Sequence, residues 1–597
     1  MRKKIKGIFA LLRGIKRGGT EKSGETADIK MDGIILSQDL CVPIDGEKAQ
    51  DNRNVLVLGG SGAGKSFGYV GPNIMQADCS YVVVDPSGKL YREYGGFLEY
   101  MGYRVRCLNL ENTKESCHYN PFSYIRSDRD IEMLAAALIS STNPLFRQDC
   151  HPLMEKAETA FLTALIAYIW HYTTEDCRNL SSIMKLMKAA ETDEEDAGAK
   201  SPLDYIFDEV KKQYPESFAL KQYEFFKKAA EKNMKAVLTS CAVRFQAFSF
   251  PDVADLTDTD DISLDTIGDE KTALFVIIPP GEGTLSFLAA VMCSQFLQTV
   301  RDCSENYEFS QLVVDAENSV VRCYRADSPE ESELRAEEAA RFLARAKNGC
   351  VQKNGEFGWY EMVTEDGEFF GYRGSWKEAE KALSLIRGGR VIQGSGQPCR
   401  GPKSPVYTRM ILDEFAGIGR IPEFSHRIAV SKHVVSISII LQSLAQMQKL
   451  YRDDWSDIAG SCDTLIYLGG GADTVTTGWI SKLLCREAKT VMNISHGKGG
   501  GSTSLQRQGI ELYTPAQLRT MPEDECVVIR RNIRAYRGKK YMACSHPSWK
   551  LAEGLGPYSF SRRKIEFLKN ADRWRNGEEG YGSGEEPAGW QDSEEQR

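Results

Sequence analysis

Residues Gly59 to Ser66, read as Gly-Gly-Ser-Gly-Ala-Gly-Lys-Ser, fit the pattern G-x-x-x-x-G-K-[ST] and follow the apolar run Val55-Leu56-Val57-Leu58. A buried strand that runs straight into such a loop is the start of a βαβ unit built around a phosphate site. Gly59, Gly60, Gly62 and Gly64 carry no Cβ to stop the backbone from curling, and with Ser61 and Ala63 they form a cradle of N–H groups at a helix N-terminus. Lys65 is placed to reach the β- and γ-phosphates, and the Ser66 hydroxyl to ligate Mg²⁺. The expectation is a nucleoside triphosphate site. Ser80 to Asp85 reads as a second buried strand ending in a carboxylate and Tyr103 to Leu108 as a third, so the sheet is expected to be parallel and the fold α/β.

Two further strand ends supply chemistry. Met410-Ile411-Leu412-Asp413-Glu414 is an apolar strand from whose carboxyl end two acids emerge: Asp413 can hold Mg²⁺ through water, and Glu414 can activate an attacking water. Ile437 to Leu441 ends in Gln442, whose amide can orient that water or sense the γ-phosphate. Arg244, Arg420 and Lys432 are candidates for a cation that a neighbouring subunit contributes to the developing phosphate charge.

At 597 residues the chain exceeds one core. From Asp130 to Phe248 the pattern turns helical, with apolar stripes at Ile131–Ile139, Glu155–Tyr172, Ser182–Lys188, Ser201–Lys212 and Ala230–Phe245. This is an all-α insertion. Strand signals resume at Ala273–Ile278 and a helix at Leu285–Arg301. A second insertion, residues 306–403, mixes a strand at Ser319–Tyr324, a charged helix at Pro329–Lys347, a hairpin at Gly355–Tyr372 and a helix at Ser375–Ile386. It reads as a small α+β module that returns to the main sheet through a linker from Val391 to Lys403. The expected divisions are 1–45 (basic segment), 46–128, 251–305 and 404–550 (three parts of the motor domain), 129–250 (all-α), 306–403 (α+β module) and 551–597 (an acidic tail without structure).

The sixteen cysteines show no C-x-x-C pair, which fits a reduced, cytosolic setting. No apolar run reaches the ~20 residues of a membrane span. Charge is polarised: Met1 to Gly18 holds seven Lys/Arg and no acid, and Gly577 to Arg597 holds seven Asp/Glu and one Arg. Ile5, Ile8, Phe9, Leu12 and Ile15 share one stripe among Lys3, Lys4, Lys6, Arg13, Lys16 and Arg17, the pattern of an interfacial helix drawn to anionic lipid. Lys482 to Tyr541 holds twelve Lys/Arg against five acids, a candidate surface for tracking nucleic-acid phosphates.

Taken together, these residues resemble the type IV coupling proteins, the TraG/TraD family of conjugative DNA-transfer ATPases. The resemblance rests on Asp32-Gly33-Ile34-Ile35, Pro72-Asn73, Asp85-Pro86-Ser87-Gly88-Lys89, Tyr119-Asn120-Pro121-Phe122 and Glu155-Lys156-Ala157-Glu158. It continues through Lys271 to Pro280, Leu412 to Phe415, Ile418-Gly419, Gln442-Ser443-Leu444-Ala445-Gln446, Gly469-Gly470 and Lys539-Lys540-Tyr541. It implies a RecA-like P-loop NTPase domain carrying an all-α domain, with ATP and Mg²⁺ as ligands. It further implies a homo-hexamer at the cytoplasmic membrane that recruits relaxase-bound single-stranded DNA to the components of a type IV secretion channel. The chain departs from the family in having no N-terminal membrane helices, in the module at 306–403, in Ser87 and Lys89 where Lys and Glu are commoner, and in Ile510 where an Arg is common. Peripheral attachment at the inner face of the membrane, through a separately encoded membrane protein, is therefore expected. The alternatives are a chromosomal translocase of the FtsK/HerA type, which shares the RecA-like core, and a scaffold regulated by nucleotide.

Overall fold

The computed structural model describes residues 33–44, 52–142, 152–191, 200–231, 233–279, 285–305, 309–317, 320–326, 328–393, 407–431, 435–471, 473–484, 486–497, 500–531 and 533–575. Seven segments form the parallel part of one sheet: β1 (Val55–Leu58), β2 (Ser80–Asp85), β3 (Arg104–Asn109), β4 (Thr272–Ile277), β5 (Thr408–Leu412), β6 (Val435–Leu441) and β7 (Thr464–Tyr467). Each is buried along its whole length, as strands covered on both faces must be. An antiparallel pair, β8 (Glu525–Arg530) and β9 (Ile533–Lys539), extends the edge next to β7. The strand order is β9-β8-β7-β1-β6-β5-β2-β4-β3. The chain leaves β1 toward one side and crosses to β7 on the other, so the carboxyl end of β1 is a topological switch point, where open α/β sheets bind ligands.

One face of the sheet packs on α1 (Lys89–Tyr100) and on the helix that follows the phosphate loop, through Tyr69, Ile74, Tyr81, Tyr94, Phe97 and Phe275. The other face continues without a break into the helices inserted between β3 and β4. These include α2 (Asp128–Ser141), α3 (Pro152–Tyr172), α4 (Leu180–Ala189), α5 (Pro202–Gln213), α6 (Phe218–Ala229) and α7 (Met234–Arg244). The sequence reading omits α6 and starts α7 four residues early at Ala230. Ala219, Leu220, Tyr223 and Phe226 give α6 its buried stripe, whereas Ala230 and Asn233 form the turn between the two helices.

After α8 (Ser286–Glu305) the α+β module builds two three-stranded antiparallel sheets. One is a meander of Cys350–Lys353, Tyr360–Val363 and Phe369–Arg373. In the other, Gln311–Val314 lies between Val320–Tyr324 and Arg390–Gln393. The start of the expected linker is therefore a strand, whose partner lies about eighty residues upstream. Helices α9 (Pro329–Lys347) and α10 (Trp376–Arg387) close a core of Phe342, Leu343, Met362, Phe370, Leu383 and Ile386.

The expected tail is also folded at its beginning. Residues 551–575 include the end of a helix, Trp549–Gly554, and all of α11, Arg562–Arg575. The acidic residues 577–597 and the basic segment 1–18 lie outside the described residues. No helix among the described residues is long and apolar enough to cross a membrane.

Candidate nucleotide site

Strand register assembles the site. Leu58 of β1 pairs with Leu441 of β6, and Leu412 of β5 pairs with Ile439 of β6, so Gly59, Gln442 and the Asp413–Glu414 pair emerge at one edge of the sheet. The loop is pinned at its start, with the Gly59 N–H donating to the Leu441 carbonyl at 3.1 Å and the Gly60 N–H to the Gly469 carbonyl at 3.0 Å. A Cβ on Gly60 would stand 2.1 Å from the Gly470 carbonyl oxygen, which explains that glycine. Gly62 and Gly64 take φ of +75° and +79°, with open space where a Cβ would project. The concavity lined by N–H groups is thus present, and Ser61 and Gly62 are exposed at its tip.

Lys65 Nζ donates to the carbonyls of Gly59 and Gly60 at 2.9 and 3.0 Å. Burial lowers its pKa, opposed by the charges of Asp413 and Glu414. The Ser66 hydroxyl donates to Asp413 Oδ2 at 3.0 Å, and the Glu414 N–H donates to Asp413 Oδ1 at 3.0 Å. Burial pushes the Asp413 carboxyl up to about 6, against those hydrogen bonds. Glu414 itself is exposed and has φ +46°, a left-handed conformation that costs a residue with a side chain about 1–2 kcal/mol. The Gln442 amide donates to Glu414 Oε1 at 3.3 Å. All the residues singled out by sequence, Gly59 to Ser66 with Asp413, Glu414 and Gln442, therefore meet at one place. Hydroxyl and carboxylate oxygens at Ser66 and Asp413 are a hard donor set suited to Mg²⁺.

Other candidates fare differently. Arg244 is buried in the helical insertion, where Nη2 pairs with Glu158 at 3.0 Å and Nη1 donates to the Ile139 carbonyl, so it cannot reach into a neighbouring subunit. Arg420 is half exposed and pairs with Asp454 at 3.2 Å. Lys432 lies outside the described residues.

Within the basic stretch, Arg537 pairs with Glu525, Lys539 with Asp524 at 3.2 Å and Arg531 with Asp463 at 3.8 Å. Lys540 is buried under the phosphate loop, its Nζ donating to the Ala63 carbonyl at 2.8 Å. Sequence reasoning missed that role, because charge count carries no information about which lysine turns inward. The Gly469-Gly470 strap, with φ of +77° and +72°, was signalled only by its paired glycines.

Two family models match the chain. The one described as "Type IV secretory system Conjugative DNA transfer" covers residues 29–313, and "TraM recognition site of TraD and TraG" covers residues 407–523. Most of the α+β module falls between them. No curated sequence matches at a significant level. Among solved structures, the bacterial conjugative coupling protein TrwBΔN70 in its unbound monoclinic form has 14% identity and a TM-score of 0.50, over 82% of this chain and 85% of that one. Its trigonal form in complex with sulphate has 13% identity and a TM-score of 0.50 over the same shares. At such identities the likeness is one of fold, a RecA-like P-loop NTPase fold with an all-α insertion. The two family matches, on either side of the module, establish that the chain belongs to the TraG/TraD family of conjugative DNA-transfer proteins of type IV secretion systems.

Proposed function

We propose that this protein hydrolyses ATP to drive DNA, with its bound relaxase, toward a type IV secretion channel. The observation that carries the reading is the convergence of Ser66, Asp413, Glu414 and Gln442 from β1, β5 and β6, with Ser66 Oγ 3.0 Å from Asp413 and Gln442 Nε2 3.3 Å from Glu414. Binding alone needs no carboxylate and amide at that edge. In this reading the N–H groups of Gly62 to Ser66 hold the β- and γ-phosphates, and Lys65 supplies a positive charge against them. Ser66 and Asp413 hold Mg²⁺, which when bound neutralises phosphate charge. Glu414 accepts a proton from the attacking water at its carboxylate, and Gln442 orients that water.

The same reading takes the sheet as a motor assembled from three stretches of chain, with residues 129–250 and 306–403 as its insertions. It makes the working unit a homo-hexamer, held at the inner face of the membrane by residues 1–18 and a separately encoded membrane protein. Arg420 is the described candidate for a cation acting across subunits. The test is ATP turnover by the full chain with and without single-stranded DNA. Lys65→Ala should abolish turnover, and Glu414→Gln should retain ATP binding while losing turnover by 10²-fold or more, the range of one general base. Wild-type turnover by Glu414→Gln would overturn the assignment.

A further inference from the structure

We propose that Lys540 is a positioning residue for the phosphate cradle, acting from the far end of the sheet; this rests on the ATP reading above. Lys540 immediately follows β9, and its backbone N–H donates to the Asp524 carbonyl at 2.8 Å, at the foot of β8. The β9-β8-β7-β1 ladder thus delivers it to the underside of the loop that follows β1. Its ammonium donates to the Ala63 carbonyl in a buried contact, and no carboxylate lies within ion-pair distance of it among the described residues.

That contact has a geometric consequence. In a trans peptide the C=O and the next N–H point in opposite directions. Holding the Ala63 oxygen down toward Lys540 therefore turns the Gly64 N–H the other way, into the concavity. The neighbouring carbonyl is also tied, since the Gly68 N–H donates to the Gly64 oxygen at 2.6 Å. Two successive carbonyls are held on the outside of the curl, and the N–H groups of Gly64 and Lys65 are left on the inside.

The charge matters as well as the hydrogen bond. A neutral donor would satisfy a carbonyl at lower desolvation cost than a buried ammonium. A cation directly beneath an anion cradle gains once phosphate charge sits above it. Lys540 and Lys65 then each hold carbonyls of the loop, one at Ala63 and one at Gly59 and Gly60.

The experiment measures MgADP affinity by calorimetry, and KM and kcat for MgATP, in full-length wild type, Lys540→Met, Lys540→Gln, Lys540→Arg and Lys65→Ala. Lys540→Met should raise the MgADP Kd and the KM about tenfold, the effect of one charged hydrogen bond, with kcat at saturation changed much less. Lys540→Gln, which keeps a donor for the carbonyl, should lose less, and Lys540→Arg should recover most of the affinity. Wild-type affinity in both Met and Gln variants overturns the proposal, as does a loss of kcat with KM unchanged. Gln is decisive if the Met variant does not fold. Binding lost in Lys65→Ala but intact at position 540 overturns this inference alone, whereas a wild type that binds no nucleotide overturns the ATP reading and this one with it.

Discussion

The two insertions into the sheet are attached in opposite ways. The helices between β3 and β4 share a single apolar core with the sheet: Leu56, Val84, Leu274 and Met410 belong to the same buried cluster as Phe161, Leu165, Phe207 and Phe226. The α+β module has its own core and touches the sheet domain through its rim. Its links include Tyr372 donating to the Tyr103 carbonyl, Arg325 paired with Asp269 at 2.9 Å, and α11, whose Phe567 lies against Phe357, Trp359 and Phe369. Lys564 on the same helix pairs with Glu99 of α1 at 2.9 Å. A shared core makes the helical domain part of the sheet domain's cooperative unit; a rim of polar contacts and one helix leaves the module a unit of its own.

The largest test of that contrast is the Arg244–Glu158 pair, with side chains 5% and 2% exposed. Glu158→Gln leaves a buried guanidinium without its counter-charge and should cost about 3–5 kcal/mol. In a shared core, loss of helix signal and loss of nucleotide binding should coincide along a denaturant curve; two separated transitions would break the comparison.

Next in size is ligand stabilisation. MgATP at a hundred times its Kd should add about 2.7 kcal/mol to whatever unfolds with the site. Hydrogen exchange should slow in α2 to α7 and stay unchanged in α9 and α10. The gain should also depend on pH. The free protein holds the Asp413 carboxyl at about 6, above its ordinary value of 3.8, so stability linked to that proton is fully present below pH ~4 and is lost as pH rises through ~6. Mg²⁺ requires the charged form, so stabilisation by MgATP should grow from about pH 5 to 7, and Asp413→Asn should flatten the profile.

The smallest effect is expected at Phe567, which is only half-buried. Phe567→Ala should destabilise the module by about 1–2 kcal/mol, a fraction of the cost at a fully buried aromatic. ATP turnover should hold. A fall in turnover matching that of Glu158→Gln would show that the module, too, belongs to the sheet domain's unit.

What was legible in the sequence follows from how local each signal is. The phosphate loop is eight consecutive residues behind an apolar strand, and Asp413, Glu414 and Gln442 are strand ends, so their meeting required only that the strands be parallel and adjacent. The inward turn of Lys540 depends on an antiparallel pair that adds to the sheet edge, and no spacing in the chain announces it. The strands Gln311–Val314 and Arg390–Gln393 were missed because each is four residues long and finds its partner far away. The pairing within the basic run is illegible for a related reason: Arg531 and Lys539 have acidic neighbours, and only the folded chain shows them.

The position of α11 sets an order on the making of this protein. Trp359, Phe369 and Tyr372 leave the ribosome about two hundred residues before Phe567 and Leu568, which complete their cluster. At ~5–20 residues per second that interval is roughly 10–40 s. Throughout it the aromatic face of a finished hairpin lacks the cover that Phe567 and Leu568 give it, so a nascent chain stalled or cut before residue 562 presents a sticky surface, and holdase chaperones should crosslink to that hairpin more than to any part of the helical insertion.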